Sequence, residues 1–108
     1  MKAVFDKATN NLIIKLDGEI DQSRAARIRS FMDGEISKRR NVGLVSIDLG
    51  GVSFMDSSGI GILLGRYKLA RSIGAGFAVS NANPEIEKVL RIAGIYTLTG
   101  HDRGGKAR

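Results

Sequence analysis

The run FMDSSGIG, residues 54–61, places a carboxylate at Asp56 and hydroxyls at Ser57 and Ser58 in consecutive positions, with glycine following at 59 and 61. Three kinds of chemistry suit such a group: nucleophilic attack by serine, capping of a helix, and acceptance of phosphate. A serine nucleophile needs a base held beside it. The single histidine is His101, in a polar tail, and nothing in the sequence places a lysine beside either serine. The nucleophile-elbow pattern G-x-S-x-G is also absent here. No catalytic residue is assigned, and enzyme activity is not expected.

Asp, Ser and Thr at a helix start satisfy its free amides, each cap contributing about 1 kcal/mol. Capping accounts for one of these residues. It does not require both serines, nor Gly59 and Gly61, where glycine forfeits up to about 1 kcal/mol of helix propensity per residue. Small side chains there imply that another surface approaches closely. A phosphate on a serine at the helix start would meet unpaired amides and the positive end of the dipole, so the fold could carry it. It would add roughly 1.5 to 2 negative charges and, close to Asp56, repel a docked partner. That combination describes a binding switch.

The surrounding pattern defines the elements that position this group. Val4 and Phe5, the Asn10-Asn11 turn and the alternation of Leu12, Ile14 and Leu16 predict a hairpin. Ile28, Phe31, Met32 and Ile36 recur at helical spacing, with Asp21 as candidate cap, which predicts a helix near 22–39. The apolar run LVSIDL, 44–49, suits a strand buried on both faces. A second helix begins at the serines and carries a stripe of Ile60, Leu63, Leu64, Tyr67 and Ala70 up to a cap at Gly74. GFAVS, 76–80, reads as a strand. Asn83 and Pro84 then open a helix with Ile86, Val89, Leu90 and Ala93, and IYTLT, 95–99, reads as the last strand. The order predicts a single α/β domain, a mixed sheet of four to five strands with three to four helices and parallel crossovers after the hairpin.

The domain is expected over 1–100 and a polar, flexible tail over 101–108. A chain of 108 residues without cysteine has no disulfide, thiol nucleophile or cysteine-ligated zinc, and no metal or cofactor is expected. The N-terminus carries Asp6 and Lys7 where a signal peptide would be apolar, which predicts a cytoplasmic protein that does not engage a membrane. A net charge of +6 raises nucleic-acid binding, but the cations are dispersed and no recognition motif accompanies them. GHDRGGKA, 100–107, has phosphate-loop spacing. Ala107 stands where Ser or Thr would hold magnesium and no helix is expected to follow, so it is not read as a nucleotide site.

VSFMDSSGIGILLGRYK, 52–68, resembles the signature of the STAS domain of bacterial anti-sigma factor antagonists, and GEID, 18–21, with IEKVLRIAGI, 86–95, extends the likeness. The resemblance implies that the unmodified chain binds an anti-sigma factor that is also a serine kinase with bound nucleotide, so releasing a sigma factor. It implies phosphorylation at Ser57, the first serine of DSSG, and a separate serine phosphatase that restores the active form. Asp21, Asp56, Ser57, Ser58, Gly59 and Ile60 would meet the partner, Asp21 being equally readable as a plain cap. The alternative functions are a STAS scaffold in a stress-signalling or membrane-associated assembly, and direct nucleic-acid binding.

Overall fold

The computed structural model describes residues 1–99. The chain runs β1 (Lys2–Asp6), β2 (Asn11–Ile20), α1 (Gln22–Ser37), β3 (Leu44–Met55), α2 (Ser57–Ser72), β4 (Gly76–Ser80), α3 (Pro84–Ile92) and α4 (Ile95–Thr99). The sheet order is β1-β2-β3-β4, with β1 antiparallel to β2 and β2, β3 and β4 mutually parallel. Both crossovers step the same way along the sheet. Right-handed connections therefore bring α1 and α2 to the same face.

That face holds the core. Leu12, Ile14 and Leu16 of β2, Val45, Ile47 and Leu49 of β3, and Phe77 and Val79 of β4 are buried beneath Ile28, Met32 and Ile36 of α1 and Ile62, Leu63 and Ala70 of α2. Leu44, Ser46 and Asp48 alternate with them and are only half-buried. The expectation that 44–49 is buried on both faces is thus corrected: with both crossover helices on one side, the opposite face keeps contact with solvent.

Strand β3 runs six residues beyond the apolar run that announces it, through Gly50 and Gly51, because β2 continues alongside. Register shifts fall between Lys15 and Asp17 and between Gly18 and Glu19. A Cβ at Gly51 would lie 3.1 Å from that of Asp17 and 3.3 Å from the Leu16 carbonyl oxygen. Glycine is what lets the two strands pass this closely at the bulge.

Helix α2 ends in a Schellman motif. Gly74 has φ +79°, its amide donates to Arg71 O and that of Ala75 to Ala70 O. Helix α3 opens on Asn83, whose Oδ1 accepts from the Ile86 amide at 2.8 Å, with Pro84 in the first turn. The segment 95–99, expected as a strand, is the short helix α4. Gly94 at φ +82° turns the chain back, Leu98 N donates to Gly94 O at 3.1 Å, and Ile95 fills the core. The sheet therefore has four strands among the described residues. The phosphate-loop pattern and His101 lie outside the described residues. Among the described residues no helix is long and apolar enough to cross a membrane.

Candidate functional site: two capped helix starts on one sheet edge

Because β2 and β3 are parallel and paired to their ends, Ile20 opposite Met55, the helices that follow them start side by side. Asp21 caps α1 and Asp56 caps α2, both with extended backbone. The two starts are joined directly: the Asp56 amide donates to the Ile20 carbonyl at 3.1 Å. The carboxyl ends of parallel strands are where open α/β sheets present their functional groups.

At the second start, Asp56 Oδ1 accepts from the Ser58 amide at 2.8 Å, and its carbonyl accepts from the Gly59 amide at 2.9 Å. The aspartate supplies the cap, so neither serine is needed for it. Ser57 is exposed, Ser58 half-buried. The Ser57 hydroxyl makes no hydrogen bond among the described residues, so no base stands ready to take its proton. What remains is an accessible hydroxyl at the positive end of a helix.

Gly59 has a different role from the one its size suggests. It is buried, and a Cβ there would run into Met55 Cγ, lie 2.7 Å from Met55 Sδ and 3.2 Å from Ile20 Cγ2. The surface that approaches Gly59 is the protein's own. Gly61 is exposed, and a methyl added to it would meet nothing within 4 Å, so the open small-residue position is one turn from Ser57. Ile60 is half-buried and packs on the core, while Ile62, absent from the expected stripe, is fully buried.

At the first start, Asp21 Oδ1 accepts from Ser23 Oγ at 2.7 Å and from the Arg24 amide at 3.2 Å. The Ser23 hydroxyl, with the Arg24 and Ser23 amides and the Arg24 charge, holds the Asp21 carboxyl below its ordinary value. Asp17, on the bulge of β2, is held below its own by the N-terminal ammonium 2.8 Å away. With Asp17 paired to the ammonium, Glu19, Asp21 and Asp56 face the cation Arg24 and leave this edge acidic in a chain of net charge +6.

A feature the sequence reading missed lies at the end of β3, where Met55, two residues before Ser57, is part of its lining. A groove of about 390 Å³ separates the end of β3 from α3, lined by Ser53, Phe54, Met55, Glu85, Ile86, Lys88 and Val89. Phe54 and Val89 are 48% and 40% exposed. Strand alternation held the signal: with Met55 turned inward, Phe54 must face out.

The architecture defines a small α/β domain whose exposed functional groups gather at paired helix starts on one sheet edge. The chain belongs to the STAS domain family, which it matches over residues 2–100. It is 38% identical over 87 residues to the anti-sigma F factor antagonist of Paenibacillus polymyxa, covering 81% of this chain and 74% of that one. Its fold is similar to the unphosphorylated anti-sigma factor antagonist SpoIIAA, with a TM-score of 0.65, 26% identity and coverage of 84% and 81% of the two chains. The Bacillus cell fate determinant SpoIIAA in its phosphorylated form is similar too, with a TM-score of 0.62, 26% identity and coverage of 90% and 87%.

Proposed function

We propose that this protein is a cytoplasmic anti-sigma factor antagonist controlled by phosphorylation of Ser57. Unmodified, it binds an anti-sigma factor that is also a serine kinase carrying its nucleotide, and so frees a sigma factor. The kinase transfers phosphate to Ser57, the complex separates, and a serine phosphatase returns the protein to its active form. The chain is the substrate of these enzymes and carries no catalysis of its own.

The observation that carries this reading is the exposed, uncommitted hydroxyl of Ser57 beside a helix start already capped by Asp56. Phosphate added there meets the helix dipole without displacing the cap, so the fold can hold it. The likeness of the fold to both the unphosphorylated and the phosphorylated SpoIIAA supports the same point. Asp21, Asp56, Ser57, Ser58 and Ile60 form the docking surface, Gly59 supports it from beneath, and half-exposed Phe54 and Val89 supply an apolar part. Phosphate on Ser57 brings bulk and a strongly hydrated charge into a close-packed interface that has no counter-charge placed to receive it, so it excludes the partner by steric clash and desolvation cost.

The test is to incubate the protein with the anti-sigma kinases of its own genome and ATP, then map phosphate by mass spectrometry. Phosphate on Ser57, absent from Ser57→Ala, is expected. Modification of Ser58 instead, or normal incorporation into Ser57→Ala, contradicts the assignment.

A further inference from the structure

Arg24 is the cation drawn into the acidic edge, and its side chain engages backbone. Its Nη1 donates to the carbonyls of both Asp17, at 2.9 Å, and Glu19. Between them Gly18 has φ +75°, which turns the two carbonyls toward the same guanidinium. The positive φ favours glycine here, and a Cβ on Gly18 would stand 3.0 Å from Nη1, close enough to make the guanidinium shift by a few tenths of an ångström. This is where the pairing of β2 with β3 shifts register, and so where the end of β2 is least fixed by the sheet itself.

The consequences pass along a short path. Glu19 precedes Ile20, whose carbonyl receives the Asp56 amide and whose side chain lies under Gly59. The Arg24 amide is itself held by the Asp21 cap. One side chain therefore ties the bulge to the start of α1 and, through Ile20, to the start of α2. We infer that Arg24 is a positioning residue for partner binding: by clasping the Asp17 and Glu19 carbonyls it fixes Ile20, and with it the relative placement of Asp21 and Ser57. This rests on the reading of that edge as the anti-sigma factor's docking surface.

The experiment pairs amide hydrogen exchange of the free protein with calorimetric titration of the anti-sigma factor, for Arg24→Met, Arg24→Lys and, as control, the exposed Arg27→Met. In Arg24→Met the Asp56 amide should exchange at least about tenfold faster while Ile47 in mid-sheet keeps its protection. Partner affinity should fall about tenfold, measured well below the melting temperature so that loss of folded protein does not contribute. Arg24→Lys, whose ammonium is a point charge on a flexible stem, should fall between Arg24→Met and the parent, and Arg27→Met should match the parent. If Arg24→Met does not fold, Arg24→Lys carries the same comparison.

Unchanged exchange at Asp56 overturns the inference whatever the affinity. Faster exchange with full affinity, in a protein whose Ser57→Asp variant does lose binding, overturns the docking role of Arg24 and leaves the proposed function standing. If Ser57→Asp also binds normally, it is the docking surface that is wrong, and the inference falls with it.

Discussion

The amide of Asp56 is hydrogen-bonded to the carbonyl of Ile20 at 3.1 Å, which locks the start of α2 to the last residue of β2. Asp21 and Ser57 therefore belong to one surface although 36 positions separate them in sequence. A partner that recognises one is placed to recognise the other.

Asp21 is both cap and exposed carboxylate, and the two roles can be separated. Asp21→Ala should lower the melting temperature by a few degrees through loss of the bond to the Arg24 amide. Asp21→Asn keeps an acceptor for the cap and removes the charge. Near-native melting with weakened partner binding in Asp21→Asn is the expected outcome, read by thermal denaturation and titration calorimetry.

The lowered pKa of Asp21 gives a pH dependence of definite sign. Its folded-state value lies below the ordinary 3.8, so the ionised carboxylate favours the fold. That contribution is complete above the ordinary value and is lost as pH falls through the lowered one. Asp21→Asn should thus show a shallower loss of stability on acidification than the parent in chemical denaturation at a series of acidic pH values.

The glycines of α2 should respond in opposite ways. Gly59→Ala drives a methyl into Met55 and should cost about 1 to 3 kcal/mol by overpacking. Gly61→Ala meets nothing and should leave the melting temperature unchanged or raise it, helix propensity improving by up to about 1 kcal/mol. Gly61→Leu should fold yet bind the anti-sigma factor poorly, since the added side chain stands one turn from Ser57. Circular dichroism melts and calorimetry distinguish the two positions.

Much of this was legible in the sequence where a residue type has one structural use. Asp21, Asn83 with Pro84, and Gly74 mark helix ends because caps and left-handed backbone select those residues, and each sits where expected. IYTLT misled because Ile, Tyr and Thr favour strands, yet the left-handed turn at Gly94 directs the segment into a helix that buries Ile95. All five residues of the expected α2 stripe lie in or against the core, and the pattern left out Ile62 because Gly59 adds no apolar signal. Its burial against Met55 and Ile20 turns Ile62 into the core and leaves Ile60 at its margin. The Arg24 clasp was invisible for a different reason: it depends on two backbone carbonyls meeting at a bulge, which no side-chain pattern records.

Phosphate at the start of α2 should leave the fold intact. Ser57→Asp, which adds negative charge at the dipole's favourable end, should keep the circular dichroism spectrum and melt close to the parent. A loss of helical signal would mean that the switch acts by local unfolding.

The central claim is that charge on Ser57 decides partner binding, and titration calorimetry of the nucleotide-loaded anti-sigma factor with the unmodified protein and with Ser57→Asp tests it most directly. Ser57→Asp should bind on the order of a hundredfold more weakly, a few kcal/mol for an uncompensated charge placed in a partly desolvated interface. Equal affinity for the two proteins would contradict it.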